Sequence, residues 1–214
     1  METIWRGAGG SVEIHYPEIH LINPTSSVLR GRDLEVIENK DFSNEYLTES
    51  SYEQFKFSNC TFSDLSGIDF IDCVFQDCNM SNAHVKNCKL SDIEFVNCKL
   101  LGVNFSESKD FAFAVKFESC ILDYAIFENK KLNKSAFSNC KIHGADFTQT
   151  DLSKSKIYNC DFWDAVFANT NLAGTDFSTS KNFTIDPTSN NVRKAKFLSS
   201  DLAGLLTKFD IIIK

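Results

Sequence analysis

From Phe117 the chain places a large apolar residue at every fifth position for thirteen consecutive steps: Phe117, Leu122, Phe127, Leu132, Phe137, Ile142, Phe147, Leu152, Ile157, Phe162, Phe167, Leu172 and Phe177. An earlier run in another phase covers Leu65, Phe70, Phe75, Met80, Val85, Leu90, Phe95, Leu100 and Phe105. A period of five belongs neither to an amphipathic helix nor to an alternating strand. It marks an internal repeat, which has to be recognised before any motif is read. Two residues before these apolar centres stand small or modest residues such as Val103, Ala125, Ala145, Thr150 and Thr170, and all eight cysteines occupy that second position: Cys60, Cys73, Cys78, Cys88, Cys98, Cys120, Cys140 and Cys160.

The repeats ADFTQ, TDLSK, TNLAG and TDFST, between residues 145 and 179, closely resemble the pentapeptide-repeat family, with its pattern A(D/N)(L/F)xx. The resemblance covers residues 41–180. It implies an all-β fold, a right-handed quadrilateral β-helix in which each repeat forms one side and four repeats close a coil. A superperiod of twenty agrees: Phe127, Phe147 and Phe167 form one column, and Leu132, Leu152 and Leu172 form another. In such a coil the centre and the residue two before it point inward. The cysteines then serve as compact core residues, and Cys120, Cys140 and Cys160 stack about 4.7–4.9 Å apart on successive coils. Their parallel side chains do not favour disulfides. No CxxC pairing of zinc-site form is present, and no histidine or lysine neighbours would lower a thiol pKa for a redox role.

The pattern divides the chain into three parts. Residues 1–40 lack the repeat and contain the alternating stretch VEIHY, as expected of an N-terminal cap with a short strand over the open end of a solenoid. Residues 41–180 form the β-helix, with a phase slip of three between Phe62 and Leu65 and a second break at 106–116 that adds two residues, both expected at bulged or looped corners. Residues 181–214 hold a degenerate last coil, with Asn182 and Pro187 at its centres, and a closing segment. In that segment Ser200 is placed to cap a short helix whose Leu202, Leu205, Leu206 and Phe209 fall at helical spacing. The strand-like Ile211, Ile212 and Ile213 follow.

Composition adds a compartment and removes chemistries. With 214 residues, eight cysteines, no apolar run of membrane length and no N-terminal signal pattern, a cytoplasmic single domain is expected. His15, His20, His84 and His143 are scattered. The recurrent Ser-Asp and Thr-Asp pairs arise from the repeat and are not a nucleophile with its base. GAGG at 7–10 lacks the lysine and the strand-to-helix context of a phosphate loop. Neither catalysis nor a cofactor is expected, and no metal site.

Charge separates the remaining readings. Residues 41–180 carry 20 acids and 12 bases, net −8, and the acids are concentrated toward one end. Asp41, Glu45, Glu49, Glu53, Asp64, Asp69, Asp72 and Asp77 face Lys56 alone in 41–77, whereas 78–180 hold 12 acids and 11 bases. Lys130, Lys131, Lys134 and Lys154 are expected to cluster on one side. A negative chain without a basic aromatic surface disfavours direct nucleic-acid binding. The resemblance extends to the Qnr and MfpA groups of the family, which implies mimicry of DNA toward gyrase or topoisomerase IV and pairing of two copies through their C-terminal ends. The candidate surface is then Asp64, Asp69, Asp72 and Asp77, and the candidate dimer or cap segment is Leu202, Leu205, Leu206 and Phe209. Seven coils span roughly 34 Å, over which B-DNA carries about 20 charges, so only the N-terminal coils approach its density. A rigid, non-catalytic scaffold for an unidentified protein partner is the first expectation, and mimicry of DNA is the alternative.

Overall fold

Strands of two to four residues, repeated in parallel coil upon coil, build the molecule; the computed structural model describes residues 34–133 and 135–212. The strands are short because a corner interrupts the chain every five residues. Two positions after most centres the backbone enters the left-handed region: along one corner Asn59, Asp77, Asn97, Ser119, Asn139 and Asn159 have φ between 50° and 56°. Asparagine and aspartate tolerate that conformation better than other side-chain-bearing residues, which explains the Asn- and Asp-rich texture of the repeat. Stacked amides strengthen the same corner, with Asn59 Nδ2 donating to Asn39 Oδ1 at 2.8 Å and Asn159 Nδ2 to Asn139 Oδ1 at 2.8 Å.

The first wall is a seven-stranded parallel sheet: Glu35–Glu38, Phe55–Ser58, Val74–Gln76, Ile93–Val96, Val115–Glu118, Ala136–Ser138 and Lys156–Tyr158. Its register measures the coils. Phe75 to Phe95 and Phe117 to Phe137 are steps of 20 residues, Phe57 to Phe75 is 18 and Phe95 to Phe117 is 22. The two phase breaks are thus one corner shortened by two residues and one lengthened by two. The second wall runs through Phe62, Met80, Leu100, Leu122, Ile142 and Phe162. Leu65, Val85, Phe105, Phe127, Phe147 and Phe167 form the third; the fourth runs through Tyr52, Phe70 and Leu90 and, beyond the coil occupied by 109–114, through Leu132, Leu152 and Leu172. Four walls per coil is the quadrilateral solenoid that the superperiod requires. The sheet begins at Glu35, inside the segment expected to be a cap; the rest of that expectation, through residue 33, lies outside the described residues.

The centre residues fill the interior. On the third wall Phe105, Phe127, Phe147 and Phe167 stack face to face, with centroids 4.9, 5.2 and 5.3 Å apart and planes within 7° of parallel. The first-wall column meets them edge-on, as in Phe127 with Phe137 at 6.0 Å. Offset stacks and edge contacts are the arrangements that ring quadrupoles favour. Aligned coils leave the rings no alternative spacing.

All eight cysteines are buried and unpaired. Cys60, Cys78, Cys98, Cys120, Cys140 and Cys160 form one continuous column, each two residues before a second-wall centre. Their role is more than filling. Cys98 Sγ donates to the Phe75 carbonyl at 3.2 Å and Cys120 Sγ to the Phe95 carbonyl at 3.3 Å. At equivalent positions Thr150, Thr170 and Thr175 donate to Phe127, Phe147 and Leu152 carbonyls at 2.8, 2.8 and 2.7 Å, and Asn190 Nδ2 donates to the Phe167 carbonyl at 3.0 Å. The position takes small residues, and where these are cysteine, threonine or Asn190 many of them also donate to a main-chain carbonyl one coil below. Burial pushes the Cys73 thiol up and, with Asp69 nearby, moves Cys88 up to about 12. Burial likewise raises Cys120. Thiolates are disfavoured in this interior.

The chain closes with a 3-10 turn at Ser199–Asp201, one α-helical turn at Ala203–Leu206 and a second 3-10 turn at Thr207–Phe209. Ser200 does not cap it. Leu202, already helical at φ −60° and ψ −18°, precedes the α-turn, and the Ser200 hydroxyl lies 3.2 Å from Asp201 Oδ1. An N-cap needs an extended residue whose side chain can fold back, and the preceding 3-10 turn removes it. Ile211 and Ile212 form no strand, and Ile213 lies outside the described residues.

Candidate interaction surface

The four candidate acids share one coil but not one face. Asp64 lies on the third wall, where its Oδ1 accepts the Ser66 N–H at 2.8 Å. Asp69 lies on the fourth wall, paired with Lys109 at 2.6 Å. Asp72 and Asp77 are corner residues, at φ 54° and 56° on the two edges of the first wall, and Asp77 Oδ1 accepts from Asn97 Nδ2 at 2.6 Å. They encircle the rod. Glu45, Glu49 and Glu53, one coil earlier, are exposed, so the negative end is a belt around the solenoid and not a flat patch.

The middle coils are neutral for a structural reason. Opposite charges stack along the walls: Lys116 on Glu94 at 2.8 Å, Lys141 on Asp123 at 2.6 Å, Lys181 on Asp161 at 3.5 Å and Lys196 on Asp176 at 3.2 Å. His143 Nε2 also lies 3.4 Å from Asp161 Oδ1; burial works to raise that carboxyl, but the Asn182 hydrogen bond and the neighbouring imidazole hold it below its ordinary value. These surface pairs contribute little stability each. Their consequence is to cancel field.

The expected lysine cluster does not form as such. Lys130 is 1% exposed, and Lys134 lies outside the described residues. Lys130 stands two residues before Leu132, in an inward column whose other members, such as Ile68, Cys88, Thr150 and Thr170, are uncharged. Its Nζ donates to the Ser108 carbonyl at 2.6 Å and to Asp110 Oδ1 at 2.7 Å, and lies 5.1 Å from the Phe113 ring. All three partners belong to the lengthened corner. The signal was present in the sequence, because a lysine falls where the repeat calls for a small residue, two-thirds of a coil after the same break in phase.

Apolar side chains face outward at several places, among them the second wall and the C-terminal end. On the second wall Trp163 meets His143 edge-on at 5.8 Å, and Tyr124 lies across Gly144, where a Cβ would sit 2.7 Å from the ring. At the C-terminal end Phe209 is 50% and Ile212 87% exposed, while Leu205 packs against the core and Leu202 remains exposed. Of the candidate cap residues, Leu205 and Leu206 are half-buried. The turn seats closely, with a Cβ at Gly204 meeting the Phe183 carbonyl oxygen at 2.3 Å.

Among the described residues no three or more of His, Cys, Asp and Glu are grouped to hold a metal ion, and no helix is long and apolar enough to cross a membrane. A parallel four-sided solenoid with phenylalanine columns inside and charge outside defines a class of repeat proteins. Profiles for the pentapeptide repeat region match residues 45–112, and those for pentapeptide repeats in eight copies match 113–149 and 145–181. The chain belongs to the pentapeptide-repeat family. Among solved structures it is similar to a trypsin-treated variant of QnrB1, a plasmid-mediated fluoroquinolone resistance protein (20% identity, TM-score 0.50, 85% of this chain and 98% of that one). It is similar also to full-length QnrB1 (18%, 0.50, 83% and 98%). HetL, a pentapeptide-repeat protein involved in heterocyst differentiation regulation in Nostoc sp. strain PCC 7120, matches at 12% identity and TM-score 0.42 over 75% of this chain and 84% of that one. At these identities the likeness is one of fold. A sequence search of curated proteins returns no match.

Proposed function

We propose that the protein is a non-catalytic scaffold, a rigid rod that engages another protein through its outer faces. The observation that carries this reading is where the chemistry-bearing residues go. The cysteines and several threonines lie inside against main-chain carbonyls, many carboxylates are engaged in stacked pairs and turns, and the outer surface carries an acidic belt, an aromatic strip and an apolar end. Among the described residues these surfaces are broad and open, unlike the enclosed sites with converging donors that reaction chemistry uses.

A second reading is mimicry of DNA toward gyrase or topoisomerase IV, motivated by the likeness to QnrB1 and by the negative N-terminal belt through Asp64, Asp69, Asp72 and Asp77. Two copies joined through Leu202 and Phe209 would place the belts at opposite ends of a longer rod, with neutral coils between. A supercoiling assay with purified gyrase, with and without a quinolone, separates the readings. Inhibition or protection that fades as salt rises from low to physiological, where screening shortens to about 8 Å, and that charge reversal at Asp64 and Asp77 abolishes, supports mimicry. No effect and no binding at tens of micromolar protein leaves the scaffold.

A further inference from the structure

The lengthened corner at 106–114 carries the strongest anomaly in the molecule. Repeat solenoids exclude long charged residues from the inward column, since a buried ammonium loses its hydration and needs replacement partners. Lys130 is nonetheless inside, and both its hydrogen-bond acceptors, the Ser108 carbonyl and Asp110 Oδ1, come from the inserted segment one coil below. The Phe113 ring covers the ammonium at 5.1 Å. Lys109 ties the outer side to Asp69 at 2.6 Å, and the Ser108 hydroxyl donates to the Phe105 carbonyl at 2.6 Å. An insertion of two residues is thus fastened from inside and outside by five contacts. At its tip Phe111 is 78% exposed, although phenylalanines elsewhere in the repeats are interior. Lys89 Nζ lies 5.9 Å from its ring.

We propose that Lys130 is a positioning residue that holds this corner rigid so that Phe111 is presented as an anchor to a protein partner, one with an apolar pocket rimmed by carboxylates that face Lys89. An exposed aromatic side chain contributes most to binding when it enters a pocket at the centre of an interface. Holding it in its bound conformation beforehand removes the ordering cost that a loose loop would incur on binding. The internal ammonium supplies that hold through charge-assisted hydrogen bonds, stronger than neutral ones. The partner half of the inference rests on the scaffold reading above. The bracing half does not.

The two halves are tested separately. Amide hydrogen exchange of the full chain compares wild type with Lys130→Met and, as a milder change that keeps the lysine, Asp110→Asn. Exchange at 106–114 should accelerate at least tenfold in Lys130→Met and less in Asp110→Asn, with the coils at 135–175 unchanged. Unchanged exchange at 106–114 overturns the brace. Uniform acceleration over all coils in both variants overturns it too, since it makes Lys130 a general core residue. For presentation, the probe is a displayed library of random peptides selected on the wild-type protein. Enriched sequences should join aromatic or aliphatic residues to Asp and Glu, and should lose at least tenfold affinity for Phe111→Ser and for Lys130→Met. Binding that survives Phe111→Ser, or no enrichment, overturns the docking role and leaves the exchange result standing. Loss with Phe111→Ser but not with Lys130→Met retains the anchor and overturns its dependence on the brace.

Discussion

Phe147→Ala probes the assumption on which the fold rests, that the coil spacing and the ring stack are one structure. Phe147 is fully buried, faces Phe127 at 5.2 Å and Phe167 at 5.3 Å with planes 7° from parallel, and receives the edges of Phe137 and Phe162 at 6.3 and 6.2 Å. Truncating a core phenylalanine costs about 3–5 kcal/mol, the spread reflecting how far the surroundings collapse into the void. Here they collapse little. The main-chain ladders hold neighbouring coils at about 4.8 Å, so the rings above and below cannot approach each other. The expected loss is therefore at the top of that range, about 4–5 kcal/mol. Because solenoid stability is a sum of repeat and neighbour terms, the damage should centre on the coils that contain Phe127, Phe147 and Phe167. Urea unfolding followed by far-ultraviolet circular dichroism gives the total, and hydrogen exchange gives the location. Phe111→Ala is the internal control: the same chemistry at an exposed site should change stability by no more than about 0.5 kcal/mol. A loss below about 1 kcal/mol at Phe147, or equal losses at the two sites, would refute the assignment of the centre positions to the interior.

Thiol titration at pH 8 should show none of the eight cysteines reacting quickly in the native protein and all eight after denaturation; several fast native thiols would contradict the interior column. Asp186 binds Lys208 at 2.7 Å and receives Thr188 and Ser189 hydrogen bonds, which hold its carboxyl well below the ordinary value. Because the folded value is the lower one, the tie between the last coil and the closing turns is fully present above the unfolded value near 3.9 and is lost as pH falls below it. Carbon-13 NMR should find Asp186 still ionised at pH 3 and shifted upward in Lys208→Ala; a normal titration in the wild type would refute the tie. Sedimentation should show a dimer that Phe209→Asp converts to a monomer, since the exposed Leu202, Phe209 and Ile212 otherwise face water. A wild-type monomer at micromolar concentration would make the segment a cap only.

The period of five, with its superperiod of twenty, determined the solenoid almost completely. A residue's inward or outward direction there depends only on its place within the repeat, and the steps of 18 and 22 residues were countable as breaks in phase between Phe62 and Leu65 and between Phe105 and Phe117. Confinement of the thiols to the core followed from the same arithmetic. What the sequence left undecided were relations between coils and at the end of the chain. The acids at 64, 69, 72 and 77 look like a patch in one dimension, but wall and corner positions distribute them around the rod. Charges that balance in a count become neutral only because Lys116, Lys141 and Lys196 stack on acids one coil away. Lys130, grouped by sequence with exposed lysines, is drawn inside because the corner below offers it a carbonyl, a carboxylate and a ring, a pocket formed by residues about twenty positions earlier. Ser200 lost its expected capping role when the preceding residues turned helical. Local pattern decides where a side chain points when the backbone repeats; where it stops repeating, the partners brought together by stacking decide.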